Sequence, residues 1–189
     1  LYEACVQDPS WQMYEIPRFH KKFTGRAPLS MREDFCGTGK IASEWVKKSP
    51  KHTAVGLDLD PEPIRYGEKN HLASLLPSVR SRVKLKRQNV LKPTREKFDV
   101  IGAHNFSFYT FHERCDLFRY AKSAYQSINS KGTFFLEMVG GPGFVEAGET
   151  LEKNKVEGVG KVGYVWEQHQ HDPITKVNDY SIHFKLPNR

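Results

Sequence analysis

The segment of this 189-residue chain best equipped for chemistry is Arg32-Glu33-Asp34-Phe35-Cys36-Gly37-Thr38-Gly39-Lys40. Two glycines separated by one residue let a ligand approach the backbone closely, and a helix opening at Lys40 would offer its free N–H groups. Gly37, Gly39 and Ala42 satisfy the spacing G-x-G-x-x-G/A of a dinucleotide loop, and Asp58 stands about 20 residues on, where that loop has its acid. The sign of charge points to a different ligand. Glu33 and Asp34 immediately precede the loop, and two carboxylates repel a pyrophosphate but attract a sulfonium and an ammonium.

The elements that must position this loop follow from hydrophobic period. Strands are expected over residues 30–35, 53–59, 83–88, 98–103 and 133–139, the fourth nearly all apolar as a strand buried on both faces should be. Helices are expected over 40–48, 61–76 and 113–128. Asp60 and Pro61 form the N-cap and first position of the second, Pro77 ends it, and Lys131-Gly132 ends the third. Phe118, Ala121, Tyr125 and Ile128 make one apolar stripe on that last helix. Such alternation implies a parallel sheet with right-handed crossovers, whose ligands sit beyond the carboxyl ends of the strands. Residues 1–29 read as one or two short helices forming a lid or flank. Residues 164–171 and 178–186 read as an antiparallel hairpin in the tail.

Composition excludes several classes. No apolar run approaches the roughly 18 residues of a membrane span, and no targeting segment is visible. Cys5, Cys36 and Cys115 are odd in number and without a C-x-x-C, which fits a cytoplasmic location rather than a disulfide scaffold or a zinc ribbon. Cys36 reads as packed loop, since no His neighbour is implied for a nucleophile. The formal charge is +7, and the basic run at residues 80–87 is read as a solvated face, with an RNA-binding module as the alternative.

The run acid-x-x-C-G-T-G, with G-L-D-L-D one strand later, resembles the first two motifs of class I S-adenosylmethionine-dependent methyltransferases over roughly residues 30–140. E-D-F-C-G-T-G with N-F-S-F-Y and Y-V-W-E-Q also resembles a group of these enzymes of unassigned substrate. The resemblance implies an α/β fold: a Rossmann-like, doubly wound, mostly parallel sheet with helices on both faces, here with a C-terminal antiparallel hairpin. The methyltransferase domain would span residues 30–189. The cofactor would be S-adenosyl-L-methionine, held by Glu33, Phe35, Cys36, Gly37, Thr38 and Gly39 on its methionine side. Asp58 would accept the ribose hydroxyls, Leu59 would pack on adenine, and Asn89 and Val90 would lie near the adenine amino group. Asn105 and Phe106 would face the reacting methyl. The chain departs from the family at Phe35, where the usual loop has its first glycine, so the backbone there is expected either at φ < 0 or locally shifted. The family usually has two more strands and a helix after the fifth strand. Either the hairpin supplies the closing strands, or this is a fragment that ends just after a strand.

Methyl transfer is an in-line displacement in which protein groups mainly align the reactants. Candidate bases near the strand ends are His104, Tyr109, His112, Glu113 and Glu137, beside Asn105. Asn105-Phe106-Ser107-Phe108-Tyr109 occupies the place of the N-P-P-Y loop of amino-group methyltransferases but lacks both prolines, so it does not support nucleic acid or protein as acceptor. A small-molecule acceptor is expected. His169, His171, Asp172 and His183 could share a metal on the hairpin, but polar surface is the favoured reading and no metal is expected. The rival enzyme is an NAD(P)-dependent oxidoreductase using Gly37, Gly39, Ala42 and Asp58.

Overall fold

The computed structural model describes residues 1–187. Two short helices lead, α1 (Tyr2–Val6) and α2 (Ser10–Thr24). Then come β1 (Ser30–Asp34), α3 (Lys40–Lys47), β2 (Thr53–Asp58), α4 (Pro61–Gly67), α5 (Pro77–Arg80), β3 (Val83–Arg87) and β4 (Phe98–Ala103). After these follow α6 (Arg114–Ser127), β5 (Ile128–Leu136), β6 (Gly148–Val156), β7 (Gly160–Gln168) and β8 (Tyr180–Lys185). The chain divides into two compact units, Pro9–Met138, and Leu1–Asp8 together with the chain from Val139.

In the larger unit five strands form one sheet in the order β3-β2-β1-β4-β5, every pair parallel. The order reverses between β1 and β4, which opens a crevice at the carboxyl ends of those strands. Helices cover both faces. On one, Ile41, Trp45 and Val46 of α3 and Ile16 of α2 pack on Met31, Ala54 and Val100. On the other, Tyr120 and Ala124 of α6 pack on Val55, Leu57, Ile101 and Ala103. The doubly wound parallel sheet expected from the strand–helix alternation is therefore present, and all six residues of β4 are buried.

Local differences have physical causes. The helix from Pro61 stays regular only to Gly67, passes through a π-turn at Glu68–Leu72, and stops before Leu76. Pro77 opens a helix rather than ending one, because a missing N–H costs nothing at a first position. Asp60 is the N-cap as expected, accepting the Glu62 N–H at 2.8 Å. The third helix ends at Ser127 and runs straight into β5, so Lys131-Gly132 is no helix terminator. Gly132 lies inside β5, beside the register irregularity between Phe98 and Val100, where an added Cβ would come 2.4 Å from the Ile128 side chain. The expected stripe on α6 is not its buried face: Phe118 and Tyr125 are 69% and 80% exposed, while Tyr120, Ser123, Ala124 and Ser127 are buried.

In the smaller unit β6, β7 and β8 form a separate antiparallel sheet. The expected hairpin is β7–β8, and β6 is an added strand that its largely exposed, charge-rich residues concealed. The Trp166 and Tyr180 rings meet at a tilt, centroids 4.9 Å apart, and Val162 and Val165 are fully buried. These strands do not pair with β5 among the described residues, so the hairpin does not supply closing strands to the parallel sheet. The chain end at Asn188-Arg189 lies outside the described residues.

Candidate cofactor site

The loop after β1 is built by left-handed backbone. Phe35, Gly37 and Gly39 have φ of 56°, 52° and 67°. Gly39 then caps α3. The loop closes on itself through Gly39 N–H to Cys36 O at 2.7 Å and is tied to β2 through Cys36 N–H to Leu57 O at 2.9 Å. Of the two alternatives at Phe35, a negative φ is excluded: the backbone keeps the left-handed turn that a glycine would adopt. That strain costs about 1 kcal/mol or more for a bulky residue, and the ring offsets it by packing on Phe111 and Tyr120 at 5.8 and 5.7 Å.

Glycines elsewhere give this loop its room. A Cβ at Gly67 of α4 would lie 1.9 Å from the Thr38 carbonyl, and one at Gly56 of β2 would lie 2.8 Å from Cys36 Sγ. Neither was singled out in the sequence, although a glycine inside a strand is a standing sign of close approach. An added Cβ at Gly37 meets nothing within 4 Å, so the loop has open space on that side.

Two carboxyl groups, Asp58 and Glu33, meet here. Asp58, at the end of β2, accepts the Gly37 N–H through Oδ2 at 2.7 Å and the Asp60 N–H through Oδ1 at 2.9 Å. Each oxygen keeps a second lone pair for a ligand hydroxyl. Glu33 is buried and accepts the Ala42 N–H at 2.8 Å. Burial pushes its carboxyl up to about 8 against that amide, and Asp58 and Asp34 push the same way. Asp34 is also buried but faces α6, where Arg32 Nε and Nη2 each donate at 2.8 Å and the Tyr120 hydroxyl donates at 2.9 Å. Burial pushes the Cys36 thiol well above its ordinary value, with Glu33, Asp58 and Asp34 adding, so this cysteine stays a neutral packing group.

The other expected residues lie along the same edge, with different partners. Leu59 is 59% exposed at the end of β2. Asn89 Oδ1 accepts the Leu91 N–H at 2.8 Å, capping a turn. Val90 is buried in the core and its carbonyl accepts the Ser123 hydroxyl at 2.7 Å.

After β4 the chain makes an unusual turn: Asn105 and Phe106 are both left-handed, at φ 51° and 52°. Glu137, just past β5, supports it. Its Oε2 accepts the Asn105 N–H at 3.1 Å and lies 3.6 Å from His104 Nδ1, and its own N–H donates to Ala103 O at 3.0 Å. His104, ahead of Asn105 N–H and Gln12 of α2, holds the Glu137 carboxyl below the usual range, against its burial. His104 is buried and lies over Gly102, whose added Cβ would come 2.6 Å from Nε2. That Nε2 and Gln12 Oε1 are buried without a hydrogen-bond partner. Tyr109 is partly exposed and rings Phe108 edge-on at 4.8 Å. His112 and Glu113 are exposed, Glu113 capping α6 by backbone alone.

The remaining sequence candidates are otherwise engaged. In the basic run, Arg82 Nη1 donates to the carbonyls of Val46, Ser49 and His52, Lys86 pairs with Glu96, and Arg87 donates to Leu59 O. His169 bonds Ser181, His171 bonds Asn178 and His183 bonds Glu167. No group of three metal-type ligands occurs among the described residues.

The fold is that of Rossmann-like methyltransferases. It is similar to DesVI of Streptomyces venezuelae (TM-score 0.74, 16% identity, covering 98% of this chain and 79% of that one). It is similar also to the sugar N-methyltransferase KedS8 of Streptoalloteichus (0.69, 15%, 98% and 76%). CalS10 of Micromonospora echinaspora, an amino pentose methyltransferase solved with S-adenosylmethionine bound, gives 0.70, 12%, 98% and 79%. No protein-family profile matches the chain, and no curated protein matches it in sequence.

Proposed function

We propose that this chain is an S-adenosyl-L-methionine-dependent methyltransferase acting on a small molecule. The observation that carries this is the loop of Phe35, Gly37 and Gly39 with Glu33 and Asp58 against it, at the switch point of a β3-β2-β1-β4-β5 sheet. The Asp58 carboxylate beside an open glycine backbone, with Glu33 able to ionise against a cation, fits a cationic nucleoside and offers the pyrophosphate of NAD(P) no positive partner. The similar structures named above include enzymes that methylate sugars, and a sugar-like acceptor is the class we favour. The basic run gives the RNA reading little support, since Arg82, Lys86 and Arg87 are spent within the fold. We place the protein in the cytoplasm. Its three cysteines are free, as a reducing compartment keeps them, and no helix among the described residues is long and apolar enough to cross a membrane.

Bound cofactor would supply an activated methyl group on a sulfonium. Asp58 would hold the ribose through the lone pairs that Gly37 and Asp60 leave, and Leu59 would cover the adenine. Phe35, Cys36, Thr38 and Gly39 would shape the methionine side. Asn105 and Phe106, fixed in their left-handed turn by Glu137, would line the path of the acceptor, with Tyr109 excluding water beside them. His104 and Glu137 are the pair best arranged to take up a proton from an acceptor amine. Calorimetry with S-adenosylhomocysteine tests the reading. Wild type should bind it, Asp58→Ala should bind it much more weakly, and NAD should give no heat; binding of NAD instead would overturn it.

A further inference from the structure

Strand β1 sorts its charges by side. Arg32 and Asp34 face α6, where the guanidinium is committed to both Asp34 oxygens. Glu33 faces α3, is 2% exposed, and accepts one backbone N–H, that of Ala42. One amide is a poor return for burying an anion. The charged and titratable groups around Glu33 are Asp34 and Cys36 on its own segment, Lys40 at the first position of α3, Asp58 at the end of β2, and His104 over Gly102, the β4 residue in register with Glu33. Asp58 carries the wrong sign to help, and Arg32 lies on the far side.

We propose that Glu33 is a neutral carboxylic acid in the ligand-free protein and gives up its proton when a nucleoside bearing a sulfonium and an ammonium is seated on the loop. Glu33 then reads the ligand's positive charge, and cofactor capture and its ionisation are one event. The inference rests on the cofactor reading above and extends it to a role for one residue. The proton passes from the carboxyl to bulk buffer, and no other bond is made or broken. With the carboxyl pushed up to about 8, nearly every site carries that proton at neutral pH. A cation beside it removes the penalty that keeps it there.

The test is calorimetry of the full chain near pH 7 with S-adenosylmethionine and S-adenosylhomocysteine, each in two buffers of very different ionisation enthalpy. Wild type should release about one proton per S-adenosylmethionine bound, and its affinity should rise about tenfold from pH 6 to pH 7. Glu33→Gln should still bind, with the release and the pH slope gone. Buffer-independent heats in wild type would overturn the proposal. So would a release that survives in Glu33→Gln, since it would belong to the ligand's own amine. Absence of binding by either nucleoside would overturn the cofactor reading itself, a different failure. Infrared spectroscopy of wild type is independent of the variant: a protonated-carboxyl band should vanish on ligand addition, and its persistence would count against the proposal.

Discussion

Gly37 and Asp58 are joined by a 2.7 Å hydrogen bond from backbone amide to carboxylate, so the residue we propose as the ribose acceptor also fixes the glycine loop. Because Oδ1 accepts a second amide, from Asp60, both oxygens must be acceptors. Asparagine would turn an N–H toward one of these donors. Asp58→Asn should therefore weaken S-adenosylhomocysteine binding nearly as much as Asp58→Ala, by about 10- to 100-fold, since a hydrogen bond to a charged group contributes about 1.5–3 kcal/mol. Titration calorimetry of the two variants checks it. Retention of affinity in Asp58→Asn would mean that the carboxylate is not needed as a double acceptor.

Phe35 combines strain and packing in one residue. Phe35→Ala removes the ring and keeps a non-glycine Cβ at φ 56°, whereas Phe35→Gly removes both. Both should destabilise, with Ala the worse by about 1 kcal/mol. Urea melts of the pair measure that difference directly.

The Arg32–Asp34 pair has no exposed side-chain surface. Truncating one partner leaves a buried charge alone, so Arg32→Met should cost about 3–5 kcal/mol, while Arg32→Met with Asp34→Leu should recover much of it. Tyr120→Phe, which removes one hydroxyl from Asp34, should cost only about 1 kcal/mol. A double-mutant cycle by chemical denaturation gives the coupling.

Asp99 fastens the start of β1 to β4 and β5. Its carboxylate accepts the amides of Leu29 and Ser30, a guanidinium N–H of Arg26 and the side-chain amide of Asn129. Burial alone would raise its carboxyl, but these donors outweigh it and hold it at about 2. A depressed folded value stabilises above the ordinary pKa near 3.8 and fades as pH falls through about 2. Thermal melts from about pH 5 to pH 2 should show wild type losing stability faster than Asp99→Asn. The variant should be less stable at neutral pH and flatter in acid.

The parts of this architecture readable from sequence were those decided locally. Phe98–Ala103 is apolar throughout, Asp60-Pro61 is a cap with its mechanism built in, and glycines at 37 and 39 admit left-handed turns. What escaped depended on distant partners. Nothing near Asp34 announces Tyr120, 86 residues away, and nothing near Phe35 announces the aromatic ledge that offsets its strain. Strand β6 has mostly exposed residues, so no alternation marks it. Gly132 signalled a break in the helix and instead marks an irregular strand pairing. The clearest missed signal was Arg32: two residues before Asp34 on a strand, the pair shares one side of the sheet, and opposite charges at that spacing foretell an ion pair.

The alternation of charge along β1 also bears on fidelity of folding. A slip of one residue would carry the Arg32–Asp34 pair under α3, away from Tyr120 and Thr94, and leave Glu33 on the α6 side without the Ala42 amide. Buried polar groups parted from those partners would penalise a one-residue misalignment of the central strand, whereas an all-apolar strand would slide at little cost. The alternating polar groups of β1 thus also act as a ratchet against wrong alignment, making the middle of the sheet its least forgiving place for insertion or deletion.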